Sequence, residues 1–378
     1  MSAPPVDGGY LQPMTPYKTG KKAVEKFAGF DFLRAIFAVA ILMLHVELLV
    51  PLSTIGLGFL NDIFNANFAY LGVPVFLQIS LFLFYIKTFQ AESGGYFLRK
   101  RLPRLIYLYL FWVPTLLVFN LVFGFNGGWE LVQTAISSPR ALIEFIISGG
   151  NTPLYFFFSL IFLTVTCWLF ASLLVFIKSA AVRRVLSYLL LGLSCLLLLA
   201  FFRLSLIEDS ENSIIRFLSN FAKWNYNPLN FLPYVFITAI AADDFLAGRL
   251  AKVTPTLKFL LLGLSTLFLM FTIGEWLLSQ ELLHYSRPSL VFGSWLLLYL
   301  ALLSKRAVPP IIQFLSSCSL GIYTFHLFFT HGFFTKAGME LPPIFDFLKV
   351  LVKFAVALAA SIALTLVFRR NRFLKNFV

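Results

Sequence analysis

Ala28-Gly29-Phe30-Asp31-Phe32-Leu33-Arg34-Ala35-Ile36-Phe37-Ala38-Val39-Ala40-Ile41-Leu42-Met43-Leu44-His45 opens the first long apolar run of the chain and decides its fold. Charged groups stand only near its start, and a titratable imidazole closes it. Arg34 and His45 are eleven residues apart, close to three whole turns of an α-helix, so both side chains fall on one helix face. Along the axis they are separated by roughly 16 Å. With Arg34 at the cytoplasmic surface, His45 is expected near mid-membrane. A titratable group at that depth is costly and marks a candidate functional site.

The rest of the chain repeats the apolar character of this stretch. Of 378 residues, 59% are hydrophobic and only 12% charged, against about 25% charged in a soluble domain. Mean hydropathy is +0.86, and apolar runs of roughly 20 residues recur from end to end. The expected fold is all-α: a polytopic transmembrane helix bundle of about ten spans, with both termini cytoplasmic. A soluble enzyme with a single anchor is excluded. Residues 1–26 read as a flexible basic cytoplasmic tail without the apolar core and cleavage site of a secretory signal, and residues 27–378 as one membrane domain.

Spans are expected at 30–50, 66–88, 105–124, 154–177, 186–204, 229–247, 257–278, 288–304, 311–335 and 347–368. Basic residues then fall on one side: Lys18, Lys21, Lys22 and Lys26 before the first span, Arg99, Lys100, Arg101 and Arg104 before the third, Lys178, Arg183 and Arg184 before the fifth. Arg249, Lys252 and Lys258, then Lys305 and Arg306, then Arg369, Arg370, Arg372 and Lys375 continue the series. The opposite loops are poorer in basic groups, and 205–228 carries Glu208, Asp209 and Glu211 against Arg216 and Lys223. This is the positive-inside pattern, and it accounts for the net charge of +13 without nucleic acid. Cys167, Cys195 and Cys318 stand alone, with no CxxC or His–Cys spacing, so neither a disulfide framework nor a metal site is expected.

Three constellations carry potential chemistry. A neutral imidazole at His45 can take a proton from a hydroxyl or carry an acyl group, with Asp31 one helical turn before Arg34 on the same face; an isolated intramembrane His also serves interhelical packing. Glu47 points elsewhere on the helix, towards the outer half of the site. In Arg99-Lys100-Arg101-Leu102-Pro103-Arg104, Arg101 and Arg104 share a face where a helix begins. A cationic helix start suits phosphates, and it is also ordinary membrane anchoring. In the ninth span, Ser319, Tyr323 and His326 fall at i, i+4 and i+7, one stripe that should face protein or a cavity rather than lipid. His331, five residues past His326, is off any shared metal-binding face. Gln78 and Ser80 interrupt the second span, Asp243 and Asp244 can pair with Arg249, and Glu275 lies towards the outer end of the seventh. Trp224, Tyr226 and Asn227 could stack against a sugar or serve as interfacial aromatics.

Together these segments resemble the acyltransferase-3 family of integral membrane O-acyltransferases. Phe30-Asp31-Phe32-Leu33-Arg34-Ala35 is similar to its opening L-D-x-L-R-G, followed by Arg-x10-His ending at His45. Gly72-Val73-Pro74-Val75-Phe76-Leu77-Gln78-Ile79-Ser80 is similar to G-V-x-x-F-F-x-x-S-G, Arg101-Leu102-Pro103-Arg104 to R-x-x-R, and Ser319 to His326 to the late S-x-x-I-Y-x-x-H. Ala35 and Leu81 replace glycines of that pattern, which implies altered packing. No esterase-like domain follows the tenth span, as in the stand-alone subgroup.

The resemblance implies cytosolic acetyl-CoA, or another acyl-CoA, as donor, and a glycan or glycolipid as acceptor. Arg101, Arg104 and Arg99 would hold donor phosphates, Arg34 the pantetheine arm or thioester, and Asp31 would position Arg34. His45 would act as base or acyl carrier, while Tyr323, His326, Ser319, Gln78 and Glu47 would line the substrate cavity. The place implied is a bacterial plasma membrane, with lipids the only other partner. The competing reading is an exporter or flippase of a glycan or lipid-linked precursor with His45 as proton relay; it calls for paired repeats that the sequence lacks.

Overall fold

The computed structural model describes residues 27–90, 95–124, 128–207, 212–279, 281–330, 334 and 346–378, and of residues 89, 90 and 346 the backbone only. The basic tail at 1–26, Glu208, Asp209, Glu211 and His331 therefore lie outside the described residues. The described chain is helical throughout: α1 (Ala28–His45), α2 (Gly58–Ile63), α3 (Gly72–Gln90), α4 (Leu102–Phe123), α5 (Gly128–Ile136), α6 (Pro139–Ile147) and α7 (Tyr155–Phe176). They are followed by α8 (Ala180–Ser205), α9 (Ser213–Lys223), α10 (Leu232–Leu246), α11 (Pro255–Leu278), α12 (Pro288–Leu303), α13 (Pro310–Phe328) and α14 (Asp346–Arg370).

Nine stretches among the described residues are long and apolar enough to cross a membrane. The eighth expected span, 288–304, forms α12, apolar but only 16 residues long. That length is about 24 Å, short of the roughly 30 Å of hydrocarbon. Packing explains how it is tolerated: α12 is largely buried and lies against α1, α3, α10 and α11, so it borders protein more than lipid. Prolines set many boundaries by occupying the first helical position, as in α6, α11, α12 and α13. Side-chain caps from Ser179 and Thr254 start α8 and α11 by accepting the Val182 and Leu257 N–H groups.

Among the boundaries that differ from expectation, two bear on the site. The first span stops at His45, not at residue 50, because Glu47 takes a left-handed φ of 57° and Val50–Ile55 winds as a 3₁₀ turn around Pro51. His45 therefore closes its helix, at the far end from Arg34. The second span starts earlier, at Gly58, and bends through a π turn at Phe64–Phe68 and a 3₁₀ turn at Ala69–Leu71.

Helix α1 lies at the centre, packed on α13, α12, α3 and α14. Small residues bring the backbones together. A Cβ on Gly29 would run into the Ala301 backbone, one on Gly72 into Ile41, and one on Gly321 into the Thr365 side chain of α14. Ala35 and Leu81, where the family pattern has glycine, are both buried in the core. At the basic end, Asp244 on α10 binds Arg184 of α8 and Arg249, each at 2.6 Å, and Tyr299 of α12 at 2.7 Å. Arg249 also pairs with Asp243.

Gly321→Ala is expected to overpack the α13–α14 contact by about 1–3 kcal/mol and lower the melting temperature in detergent. Adding Thr365→Ala should recover most of the loss; a double variant as unstable as the single one would refute this close approach.

Candidate functional site

Two contacts fix how α1 and α13 meet. Near the basic end, Ser316 donates a hydrogen bond to Asp31 Oδ1 at 2.6 Å. At the other end, the His45 and His326 rings face each other with centroids 5.1 Å apart and planes 33° from parallel. The two helices therefore run in the same direction, each ending within a turn of its histidine. His326 is fully buried, and its Nδ1 lies 2.9 Å from the Ile322 carbonyl. A carbonyl can only accept, so Nδ1 carries a proton. His45 is half-buried.

The polar stripe of α13 is buried as its periodicity required: Ser319, Tyr323 and His326 are 8%, 4% and 0% exposed. Tyr323 donates to the Pro153 carbonyl. That carbonyl is presented by a loop in which Gly149, Gly150 and Asn151 all take left-handed φ values of 59°, 76° and 56°. The Tyr323 ring stands 6.0 Å from His326. The loop was missed from sequence; its signal is the run Ser148-Gly149-Gly150-Asn151-Thr152-Pro153.

The expected cationic group divides. Arg101 reaches Ser80 Oγ on α3 at 2.5 Å, bringing two sequence motifs into contact, while its Nε is buried with no hydrogen-bond partner among the described residues. Arg99 and Arg104 are exposed. A π-helical turn over Phe97–Arg101 precedes α4. Arg34 is half-buried one turn above Asp31 and feels that charge, though no ion pair joins them among the described residues. Gln78 turns to α12, where it donates to Ser294 Oγ at 3.0 Å. Glu47 is exposed on the turn beyond His45.

Sequence reasoning did not single out Arg287. It is fully buried and pairs through Nε with Glu275 Oε2 at 2.8 Å. Its other nitrogens donate to the Ala66 and Leu282 carbonyls, Asn67 and Ser289. Glu275 in turn accepts from the Ser289 backbone N–H at 2.8 Å and from its hydroxyl. This clamp holds the bent start of the second span against α11 and α12. Nearby, His284 is buried with Nδ1 2.7 Å from the Ser286 hydroxyl. Among the described residues no group of three His, Cys, Asp or Glu residues could hold a metal ion.

The acyltransferase-3 family model, described as an acyltransferase domain, matches residues 27–370. The chain belongs to the acyltransferase-3 family. No curated protein and no solved structure matches it. In this family member, a multi-pass integral membrane protein, the four motif segments converge on two places: the α1–α13 seam and the Ser80–Arg101 contact.

Two outcomes follow from the clamp and its neighbour. Glu275→Gln leaves the Arg287 charge uncompensated and should destabilise the fold by about 3–5 kcal/mol, read as an early thermal transition in detergent; a wild-type transition would contradict it. Burial, with Arg287 nearby, pushes the His284 imidazole down to about 4. The unfolded ring takes up its proton near 6.5, so stability is full above that pH and falls as pH drops through about 4. The melting temperature should decline over that window, and His284→Asn should flatten the decline.

Proposed function

We propose that this protein transfers an acyl group, most simply acetyl, from cytosolic acyl-CoA to a carbohydrate hydroxyl at the outer face of a bacterial plasma membrane. The supporting observation is the pair of imidazoles, His45 on α1 and His326 on α13, brought to 5.1 Å at the end of the bundle opposite Arg34 and Arg101. On this reading the basic end is cytoplasmic. Exposed Arg99 and Arg104 meet the donor phosphates there, Arg101 is held by Ser80 at the mouth of the donor path, and Arg34, steadied by Asp31, orients the thioester arm.

The arm must cover roughly 16 Å between the levels of Arg34 and His45. His45 takes the proton of the acceptor hydroxyl, whose oxygen attacks the thioester carbonyl. The carbon–sulfur bond breaks, and the CoA thiolate leaves with the proton. His326 and Tyr323 hold the His45 end of the path in shape, with Ser319 and Gln78 deeper and Glu47 at the rim. Acyl capture on His45 followed by transfer uses the same atoms in two steps. No step requires a metal.

The test is purified protein with radiolabelled acetyl-CoA, following free CoA and label in a glycan pool. His45→Ala should reduce both by roughly 10²–10⁴-fold, and Arg101→Ala should raise the KM for acetyl-CoA. Equal CoA release by wild type and His45→Ala would remove His45 from the chemistry. Folded wild type that turns over no acyl-CoA would refute the enzyme reading.

A further inference from the structure

The His45 end of the bundle holds a second feature, beyond the residues that act on the reacting atoms. A series of aromatic rings leads to the histidine pair from the segment between α9 and α10. Trp224 meets Tyr226 edge-on at 5.9 Å, and Tyr226 meets Tyr155 at 5.1 Å. Tyr155 lies 6.0 Å from Tyr285. The next residue, Phe156, stands 5.3 Å from Tyr323, whose ring is 6.0 Å from His326.

Interfacial belt aromatics turn their faces to lipid. These rings pack on one another instead: Tyr155 and Tyr285 are buried, and only Trp224 and Tyr226 at the rim are half-open. Amides accompany them. Asn230 is 0% exposed, and neither its amide oxygen nor its nitrogen has a hydrogen-bond partner among the described residues. It precedes Phe231, whose ring is 5.1 Å from Tyr285. Asn225 donates to the Leu283 carbonyl at 3.1 Å, while its own oxygen is buried and has no hydrogen-bond partner among the described residues. Burying such groups is unfavourable unless something hydrogen-bonds to them.

Flat rings beside side-chain amides match one ligand chemistry. A pyranose presents C–H faces that stack on rings and hydroxyls that both donate and accept. An amide answers with two donors and an acceptor, and Trp and Tyr offer rigid apolar faces with polar tips. We propose that Trp224, Tyr226, Asn225 and Asn230 form a sugar-binding subsite for the acceptor, from which a hydroxyl is led past Tyr155 and Tyr323 to the His45–His326 pair. The assignment rests on the acyltransfer reading and adds where the acceptor is held.

The probe is the surface polysaccharide of the source cells, stripped of O-acyl esters by mild alkali and offered with radiolabelled acetyl-CoA to the full chain in detergent. Trp224→Ala and Asn225→Ala should each raise the KM for polysaccharide by about tenfold, with the KM for acetyl-CoA within about twofold. Trp224→Phe, which keeps a stacking face, should recover most of the loss. Unchanged polysaccharide KM in both alanine variants overturns the subsite while leaving the reaction standing. A loss that Trp224→Phe does not rescue, or that raises the acetyl-CoA KM in step, assigns these residues to packing and also overturns it. Wild type that neither releases CoA nor labels the polysaccharide sinks the reaction itself, and the subsite with it.

Discussion

Everything at the site depends on the seam between α1 and α13. Each helix carries polar groups that lipid would reject, and each supplies the other's shelter. The Asp31–Ser316 hydrogen bond fixes the register at one end, and the His45–His326 contact follows at the other. A hydrogen bond to a carboxylate is stronger than one between neutral groups, and in a medium without water its loss leaves a bare acid. Register is therefore set by chemistry rather than by apolar packing, which in hydrocarbon has little preference for protein over lipid tails. Close backbone approach at Gly321 then presses α14 onto the outer side of the same seam.

The clamp around Arg287 shows how the fold tolerates a buried ion pair. All three guanidinium nitrogens find acceptors, and both carboxylate oxygens of Glu275 are engaged. Such completeness is what separates a tolerable buried pair from a destabilising one. Its position matters too, because Ala66 and Asn67 belong to the bent start of the second span. The irregular backbone there leaves helical bonding incomplete, and it is tolerable at this depth because it is enclosed in protein.

Much of this architecture was legible from residues alone. Hydropathy located the nine membrane-length stretches among the described residues and the shorter α12, since a bilayer leaves the backbone few options. The Arg34–His45 spacing put both groups on one helix, and the α13 stripe was placed facing protein. Less legible were the limits of α1, because Glu47 in a left-handed conformation is an unusual terminator that residue type does not announce. Ser316 looked like one serine among several, and its role depends on which helix lies opposite. Arg287 stands before a proline with no local pattern to mark it; only the fold brings Asn67, Ala66 and Glu275 around it. Tertiary partners of this kind have no local signature.

The parallel run of α1 and α13 also constrains how a reaction across the membrane can be organised. Because Arg34 and His45 belong to one helix, the proposed reaction would have the distance between its donor-binding end and its transfer end set by helical rise, beyond adjustment by loop motion. A rigid element of this kind suits a reaction in which an extended thioester arm must present its carbonyl at a fixed depth. The flexible part of the problem is then left to the acceptor side. There the residues that precede α10, the loop before α7 and the segment before α12 meet around Tyr155 and Tyr285. Under the proposed acyl transfer, variation in those loops changes the acceptor without disturbing the seam, which puts recognition and chemistry on separable parts of one bundle.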